Sequence, residues 1–120
     1  MRKKTAPVWS GAKTKRGRRT LYLSILPTIR KVARKSGYAV GVHGSLTRDL
    51  DLIAVPWRNR AVMAETLAYR IHRATSRHAY TRAELKKMMR RKPRGRVSYL
   101  LVIGSNGAYI DLSISVGNQS

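Results

Sequence analysis

The sequence predicts a small α/β domain of the α+β kind, with helices packed on a mixed sheet. Three observations predict it: amphipathic segments with helical spacing, an early pair of β-like runs, and a late pair joined by Asn-Gly. The predicted order is helix, strand, strand, helix, helix, strand, strand. A chain of 120 residues with 42% hydrophobic residues is large enough for one core, so we expect a single domain.

The first predicted segment is basic. Residues 1–19 carry many Lys and Arg among Gly, Thr, Ser and Pro, with few apolar residues to bury. We therefore predict a flexible basic arm at residues 1–19 and the folded domain at residues 20–120.

Apolar residues recur at helical spacing through residues 20–36, which predicts the first helix. Gly37 is suited to end it. Because proline disrupts helix interiors, we expect the regular helix to begin near Pro27, after a separate turn.

Two strands follow, at residues 38–43 and 49–55, joined by a tight turn at Gly44 and Ser45. The second helix is predicted at residues 60–75, where apolar residues again alternate with arginines.

A third, shorter helix is expected to open with a capping box formed by Thr81 and Glu84. We expect it to end in the basic run at residues 86–92, before Pro93. The last quarter predicts a β-hairpin, with strands at residues 97–103 and 108–116 around a turn at residues 104–107.

The most informative residues are three aspartates. The chain has only five acidic residues, and Asp49, Asp51 and Asp111 lie in strand-like apolar runs, where Asp is disfavoured. Alternation along a strand places Asp49 and Asp51 on one face, with side chains about 7 Å apart. A neighbouring strand could bring Asp111 to the same place. Clustered carboxylates favour a hard divalent cation, so we predict a Mg²⁺ or Mn²⁺ site.

Gly44 and Ser45 precede this cluster and offer backbone N–H groups and a hydroxyl to phosphate oxygens. We add Arg48 as a phosphate-binding residue. The competing interpretation is that arginines, Arg48 foremost, form salt bridges with the three aspartates.

The remaining candidates have ordinary structural explanations. His43 either contacts phosphate or caps backbone groups at its strand end, and Trp57 either stacks on a base or covers the core. We expect His72 and His78 to lie on the surface.

Residues 43–52 (His-Gly-Ser-Leu-Thr-Arg-Asp-Leu-Asp-Leu) resemble the Gly-Ser…Asp-x-Asp signature of the DNA polymerase β-like nucleotidyltransferase superfamily. Residues 109–112 (Tyr-Ile-Asp-Leu) resemble its third-carboxylate strand. The resemblance covers residues 21–116 and is nearest to minimal members of the phage and prophage type. It implies that Gly44 and Ser45 hold a triphosphate, that Asp49 and Asp51 ligate two Mg²⁺ ions, and that Asp111 helps to activate the acceptor hydroxyl.

Composition indicates the partner class. With 26 Lys and Arg against 5 Asp and Glu, the net charge is +21, which favours phosphate-rich partners and above all nucleic acid, RNA before DNA. The alternatives are a basic surface that aids solubility or belongs to a ribosome-associated protein and, for the cluster at residues 86–96, a solvated helix face. The predicted nucleic-acid-binding residues are Lys13, Lys15, Arg16, Arg18, Arg19, Lys86, Lys87, Arg90, Arg91, Lys92 and Arg94.

Together these features predict a metal-dependent enzyme that moves an NMP from an NTP to a hydroxyl of nucleic acid, conceivably tRNA, or of a protein. Only three residues separate Ser45 from Asp49, fewer than in most members of the superfamily. An inactive nucleotidyltransferase-fold protein that binds nucleic acid or nucleoprotein, such as a phage counter-defence factor, is therefore the alternative. A toxin–antitoxin component is a third possibility.

The cellular setting is expected to be the cytoplasm, the host's if a phage encodes the protein. No run of residues is long and apolar enough for a membrane span, and no signal-peptide pattern follows the basic N-terminus. The chain has no cysteine, which excludes disulfides, thiolate metal sites and cysteine nucleophiles.

Overall fold

The computed structural model describes residues 14–57, 59–104 and 106–116. These residues form three helices and one five-stranded mixed sheet, which confirms the predicted fold class. The elements, in chain order, are α1 (Lys15–Lys35), β1 (Tyr38–His43), β2 (Leu50–Pro56), α2 (Ala64–Thr75), α3 (Arg82–Met88), β3 (Arg90–Lys92), β4 (Arg96–Val102) and β5 (Tyr109–Ser115).

The sheet has the strand order β1-β2-β5-β4-β3. β1 and β2 pair antiparallel, and so do β4 and β5, which confirms both predicted strand pairs. The pairing of β2 with β5 is parallel and joins the two hairpins at the centre of the sheet. This junction brings together strands that are about 60 residues apart in sequence.

Helix α1 begins at Lys15, with the Thr14 hydroxyl accepting a hydrogen bond from the Gly17 amide at 2.9 Å. It runs through Pro27 without interruption, so the prediction of a start near Pro27 is wrong. The buried face continues on both sides of Pro27, through Tyr22 and Ile29, and its packing offsets the lost backbone hydrogen bond.

The predicted basic arm is only partly covered by the structure. Residues 15–19 belong to α1, so the helical part of the chain begins earlier than the predicted boundary at residue 20. Lys13 and the residues before it lie outside the described residues.

The basic run after α3 differs from its prediction. The capping box of Thr81 and Glu84 is present, but α3 ends at Met88 and Arg90–Lys92 forms the edge strand β3. β3 pairs antiparallel with β4 through a turn in which Arg94 and Gly95 both have φ of +67°. The turn and the exposed edge of β4 outweigh the helical propensity of Lys and Arg.

One face of the sheet carries the core. Alternate residues of β2, β4 and β5, such as Leu52, Leu101 and Leu112, are buried against α1, α2 and α3 in a single apolar cluster. No described helix packs on the opposite face, which we call the open face. By strand alternation and register it carries Ala39, Gly41, His43, Asp51, Ile53, Val55, Arg90, Lys92, Arg96, Ser98, Leu100, Val102, Tyr109, Asp111, Ser113 and Ser115.

His72 is fully buried, so the prediction of a surface position is wrong. Its Nδ1 accepts a hydrogen bond from the Tyr80 amide at 3.0 Å, which leaves Nε2 to donate to the Val102 carbonyl at 2.7 Å. Both ring nitrogens are satisfied by backbone groups that come from other elements. His78 is exposed, as predicted, and Trp57 is 52% exposed rather than a cover for the core.

None of the helices in the described residues combines the length and the apolar character that crossing a membrane requires.

Candidate metal centre

Asp49, Asp51 and Asp111 converge at one end of the two central strands. Asp51 and Asp111 are register partners on β2 and β5, and Asp49 precedes the first residue of β2. One carboxylate oxygen from each residue can be chosen such that all three lie within 4.8 Å of one another. We call these residues the aspartate triad. It could hold a metal ion, and the expectation that a neighbouring strand delivers Asp111 is confirmed.

The register of β5 against β2 determines this geometry. Side chains of register partners in adjacent strands lie on the same face of a sheet, and both carboxylates project from the open face. A shift of one residue would turn Asp111 toward the core. Core packing of Ile110 and Leu112 on the other face therefore fixes the position of Asp111.

The triad is electrostatically unfavourable without a cation. Partial burial raises the pKa of Asp51 above its ordinary value, and the nearby charges of Asp49 and Asp111 raise it further. His43 acts in the opposite direction, with its Nδ1 4.0 Å from Asp51 Oδ2. A bound divalent cation would neutralise this repulsion.

The salt-bridge interpretation of the triad finds no support in the structure. Within residues 14–57, 59–104 and 106–116, no arginine forms an ion pair with any of the three carboxylates. Arg82 pairs instead with Glu65, at 3.3 Å. All three carboxylates are half-buried, and Asp51 lies 4.0 Å from His43 Nδ1.

The loop at residues 44–48 borders the triad on one side. Gly44 has a φ of +87°, and a Cβ added there would lie 3.4 Å from Asp51 Oδ2. Leu46 also has a left-handed backbone, with φ of +64°, and its side chain is buried. The left-handed conformation is sterically strained for residues other than glycine, and such strain is concentrated at functional sites.

Side-chain contacts hold this loop in place. The hydroxyls of Ser45 and Thr47 are hydrogen-bonded at 2.8 Å, and Arg19 Nη1 donates to the Ser45 carbonyl at 3.2 Å. Predicted phosphate-binding residues Gly44 and Ser45 thus lie at the triad. Arg48 is exposed and is the residue directly before Asp49.

Tyr22 links the two strands that carry the triad, a role that the sequence did not reveal. Its buried hydroxyl donates to the Arg48 carbonyl at 2.8 Å and accepts from the Tyr109 amide at 3.2 Å. These two backbone groups lie at the starts of β2 and β5. In the sequence, Tyr22 shows only the helical spacing of a core residue.

Tyr109 is a second residue that sequence reasoning missed. It shares the open face with Asp111, two residues away on β5. Burial raises the pKa of its phenol, and the charges of Asp49 and Asp111 raise it further, while Arg48 lowers it. The phenol is therefore subject to the charges of both the carboxylates and the guanidinium.

The predicted nucleic-acid-binding residues form two separate groups. The first is the start of α1, where Arg18 donates to the Asn106 carbonyl at 2.7 Å and Arg19 contacts the loop at residues 44–48. Lys15 and Arg16, earlier in α1, are exposed. The second group lies at the β3 edge of the sheet, and all of its members are exposed: Lys86, Lys87, Arg90, Arg91, Lys92 and Arg94.

Comparisons with known proteins do not identify a family for this chain: no family model matches it, and searches of curated proteins and of solved structures gave no significant match.

Proposed function

We propose that the protein is a metal-dependent nucleotidyltransferase that moves an NMP from an NTP to an acceptor hydroxyl. The observation that carries this proposal is the convergence of three carboxylate oxygens within 4.8 Å, on adjacent parallel strands, in a chain with only five acidic residues. Placing three of the five acidic residues at one point is electrostatically costly unless a cation is bound there.

The donor set fits a hard divalent cation, because carboxylate oxygens are the ligands that Mg²⁺ and Mn²⁺ prefer. When bound, such a cation would neutralise charge on the phosphates and on the attacking oxygen. Asp49 and Asp51 are proposed as its principal ligands. Asp111 is proposed both as a ligand and as the group nearest to the acceptor hydroxyl.

The reaction itself is an in-line displacement at the α-phosphorus of the NTP. The acceptor oxygen forms a new P–O bond, the bond to the β-phosphate oxygen breaks, and pyrophosphate leaves with that electron pair. The acceptor proton passes to a triad carboxylate and then to water. Gly44 and Ser45 are proposed to orient the triphosphate through backbone N–H groups and the hydroxyl, with Arg48 neutralising its charge.

The resemblance of residues 43–52 and 109–112 to the DNA polymerase β-like superfamily supports the same assignment. The geometry is consistent with that resemblance, because the residues that match its signature lie together on two paired strands. We propose membership of that superfamily on this basis.

The test is transfer of label from α-labelled NTPs to RNA in the presence of Mg²⁺ or Mn²⁺. Wild-type protein should give labelled product, and Asp51→Asn and Asp111→Asn should each lower the rate at least 100-fold. Glu65→Gln, which removes a carboxylate remote from the triad, should leave the rate unchanged. Absence of transfer with all four NTPs and both metals would contradict the proposal.

A second candidate function is nucleic-acid binding without turnover. The loop between Ser45 and Asp49 favours it, since this loop is short and residues 44–48 form no helix that could direct N–H groups at a triphosphate. In that case RNA binding would persist and be unaffected by Asp51→Asn, and no NTP would be consumed.

A further inference from the structure

The open face joins two regions of opposite charge. At one end lies the aspartate triad, and at the far edge lies β3, whose three residues are all basic and exposed. Arg90 pairs with Ser98 and Lys92 with Arg96, so all four side chains project from the open face. Arg91 pairs with Val97, whose side chain belongs to the core, and it therefore projects from the opposite face.

Register fixes how far the basic edge lies from the triad. Asp111 pairs with Leu100, so Arg90 is two strands across and two residues along from Asp111. With strands about 4.8 Å apart and a rise of about 3.3 Å per residue, the backbone separation is roughly 12 Å. Long arginine and lysine side chains shorten the remaining gap.

The open face near these regions carries small and apolar side chains. Ser98 and Ser113 are small side chains between the triad and β3. Leu100 is 39% exposed and Val102 is 40% exposed, and both lie beside Asp111 and Tyr109 in the register. An apolar strip bordered by cations suits a ligand with both flat apolar groups and phosphates.

We propose that the open face binds a single-stranded polynucleotide, with phosphates on Arg90, Lys92 and Arg96 and bases on Leu100 and Val102. Single strands expose their bases for apolar contacts while their phosphates follow a basic surface. A duplex would offer only its phosphates, because its bases are stacked and paired, and the apolar strip would stay unused.

This site deepens the proposed function, and it rests on that function only where it names the acceptor. A strand bound in this way would run from the β3 edge toward the triad and present a terminal hydroxyl there. Binding itself needs neither metal nor turnover. Binding can therefore be measured in EDTA, which removes divalent cations and prevents catalysis. A failure of binding is in this way distinguished from a failure of catalysis.

The experiment uses two variants of equal charge that differ in the face they alter. Arg90→Thr combined with Lys92→Thr removes two cations from the open face. Arg30→Ala combined with Lys31→Ala, the opposite-face variant, also removes two cations, but from exposed positions of α1, which packs on the core side of the sheet. Threonine keeps the strand propensity of β3, and all four positions are exposed.

The measurement is fluorescence anisotropy of a labelled 12-nucleotide RNA at several salt concentrations in EDTA. For single strands the salt dependence of affinity has a slope of about −0.7 per phosphate contact. The salt-dependence slope of the open-face variant should therefore be less negative by about 1.4 than that of the wild type. The variant should also bind roughly 20-fold more weakly at 0.1 M salt. The opposite-face variant should keep the wild-type slope and lose less than threefold in affinity.

Two further ligands test the base contacts. Leu100→Ser should weaken binding of the RNA 12-mer but not of inorganic polyphosphate of the same charge. Comparison with a DNA 12-mer shows whether the 2′-hydroxyl contributes to binding. Equal losses in the two charge variants, or binding of polyphosphate as tight as that of the 12-mer, would overturn the proposal. A duplex that binds more tightly than the single strand would overturn it as well.

Discussion

Asp111 lies directly beside Asp51, as its register partner on the adjacent parallel strand, although 60 positions separate them in the chain. Their proximity raises the pKa of Asp51, after the larger effect of burial and the effect of Asp49. The protein therefore tolerates a repulsive contact that a single amide substitution would remove. This contact makes a direct test of the metal site possible.

We predict that Asp51→Asn stabilises the metal-free protein and abolishes its response to Mn²⁺. Relief of repulsion among half-exposed carboxylates should add from a few tenths to about 1 kcal/mol to the free energy of unfolding, since solvent screens such charges. Mn²⁺ at about 100 times its Kd should stabilise wild-type protein by about 2.7 kcal/mol and the variant not at all. Chemical denaturation with and without Mn²⁺ measures both effects.

The control for this prediction is Glu65→Gln, which changes an acid outside the triad. It should retain the full Mn²⁺ response. A wild-type protein whose stability does not change with Mn²⁺ or Mg²⁺ would show that the triad does not hold a divalent cation.

We predict that Tyr22→Phe lowers both stability and metal affinity. The change removes the hydroxyl that connects the Arg48 carbonyl to the Tyr109 amide, at the starts of the two strands. Loss of the bond and the unsatisfied amide should cost about 1–3 kcal/mol of unfolding free energy. Calorimetric titration with Mn²⁺ should show weaker binding, because the strands that carry the triad are less firmly joined.

Tyr38→Phe is the matched control, since Tyr38 is also a buried tyrosine and donates to the Val62 carbonyl at 2.6 Å, away from the triad. It should lower stability by about 1 kcal/mol and leave metal affinity unchanged. Equal Mn²⁺ affinities in Tyr22→Phe and wild type would refute the linking role of Tyr22.

We predict that Gly44→Ala disturbs the triad, whereas Gly41→Ala does not. The φ of +87° at Gly44 is strained for alanine, and the new Cβ would lie 3.4 Å from Asp51 Oδ2. The expected cost is about 1 kcal/mol of stability together with weaker Mn²⁺ binding. At Gly41 an added Cβ meets nothing within 4 Å, so a Gly41→Ala protein that also lost metal affinity would argue against this explanation.

We predict that the protein loses stability as the pH falls below 6.5. Burial lowers the pKa of His72 from its ordinary value of 6.5, so the unfolded chain takes up a proton before the folded protein does. The free energy of unfolding should be at its full value above pH 6.5 and decline below it, by at most about 1.4 kcal/mol per pH unit.

Urea denaturation between pH 7.5 and 5.5 measures this dependence. In His72→Gln the decline should be smaller, although the variant should be less stable at every pH because two backbone groups lose partners. His78→Gln, at an exposed position, should decline as the wild type does. An unchanged slope in His72→Gln would remove His72 as the cause.

Local signals predicted the elements whose form is decided within a few residues. The capping box of Thr81 and Glu84 and the hairpin that joins β4 to β5 are of this kind. The predictions failed at Pro27, at the basic run of β3 and at His72. In each place a contact with residues outside the segment decided the outcome, whether burial of the α1 face, pairing of β3 with β4 or the hydrogen bonds of His72 with Tyr80 and Val102.

For the candidate site, the sequence by itself determined that Asp49, Asp51 and Asp111 are acids in apolar strands, with Gly44 and Ser45 just before them. That much follows from residue types and from the twofold alternation of a strand. Only the tertiary structure decided that β5 lies parallel to β2 with Asp111 opposite Asp51, that Tyr22 joins the two strands, and that Arg90 and Lys92 share the face of the triad. Strand register and neighbour choice depend on how the core packs, and core packing is a property of the whole chain rather than of any short segment.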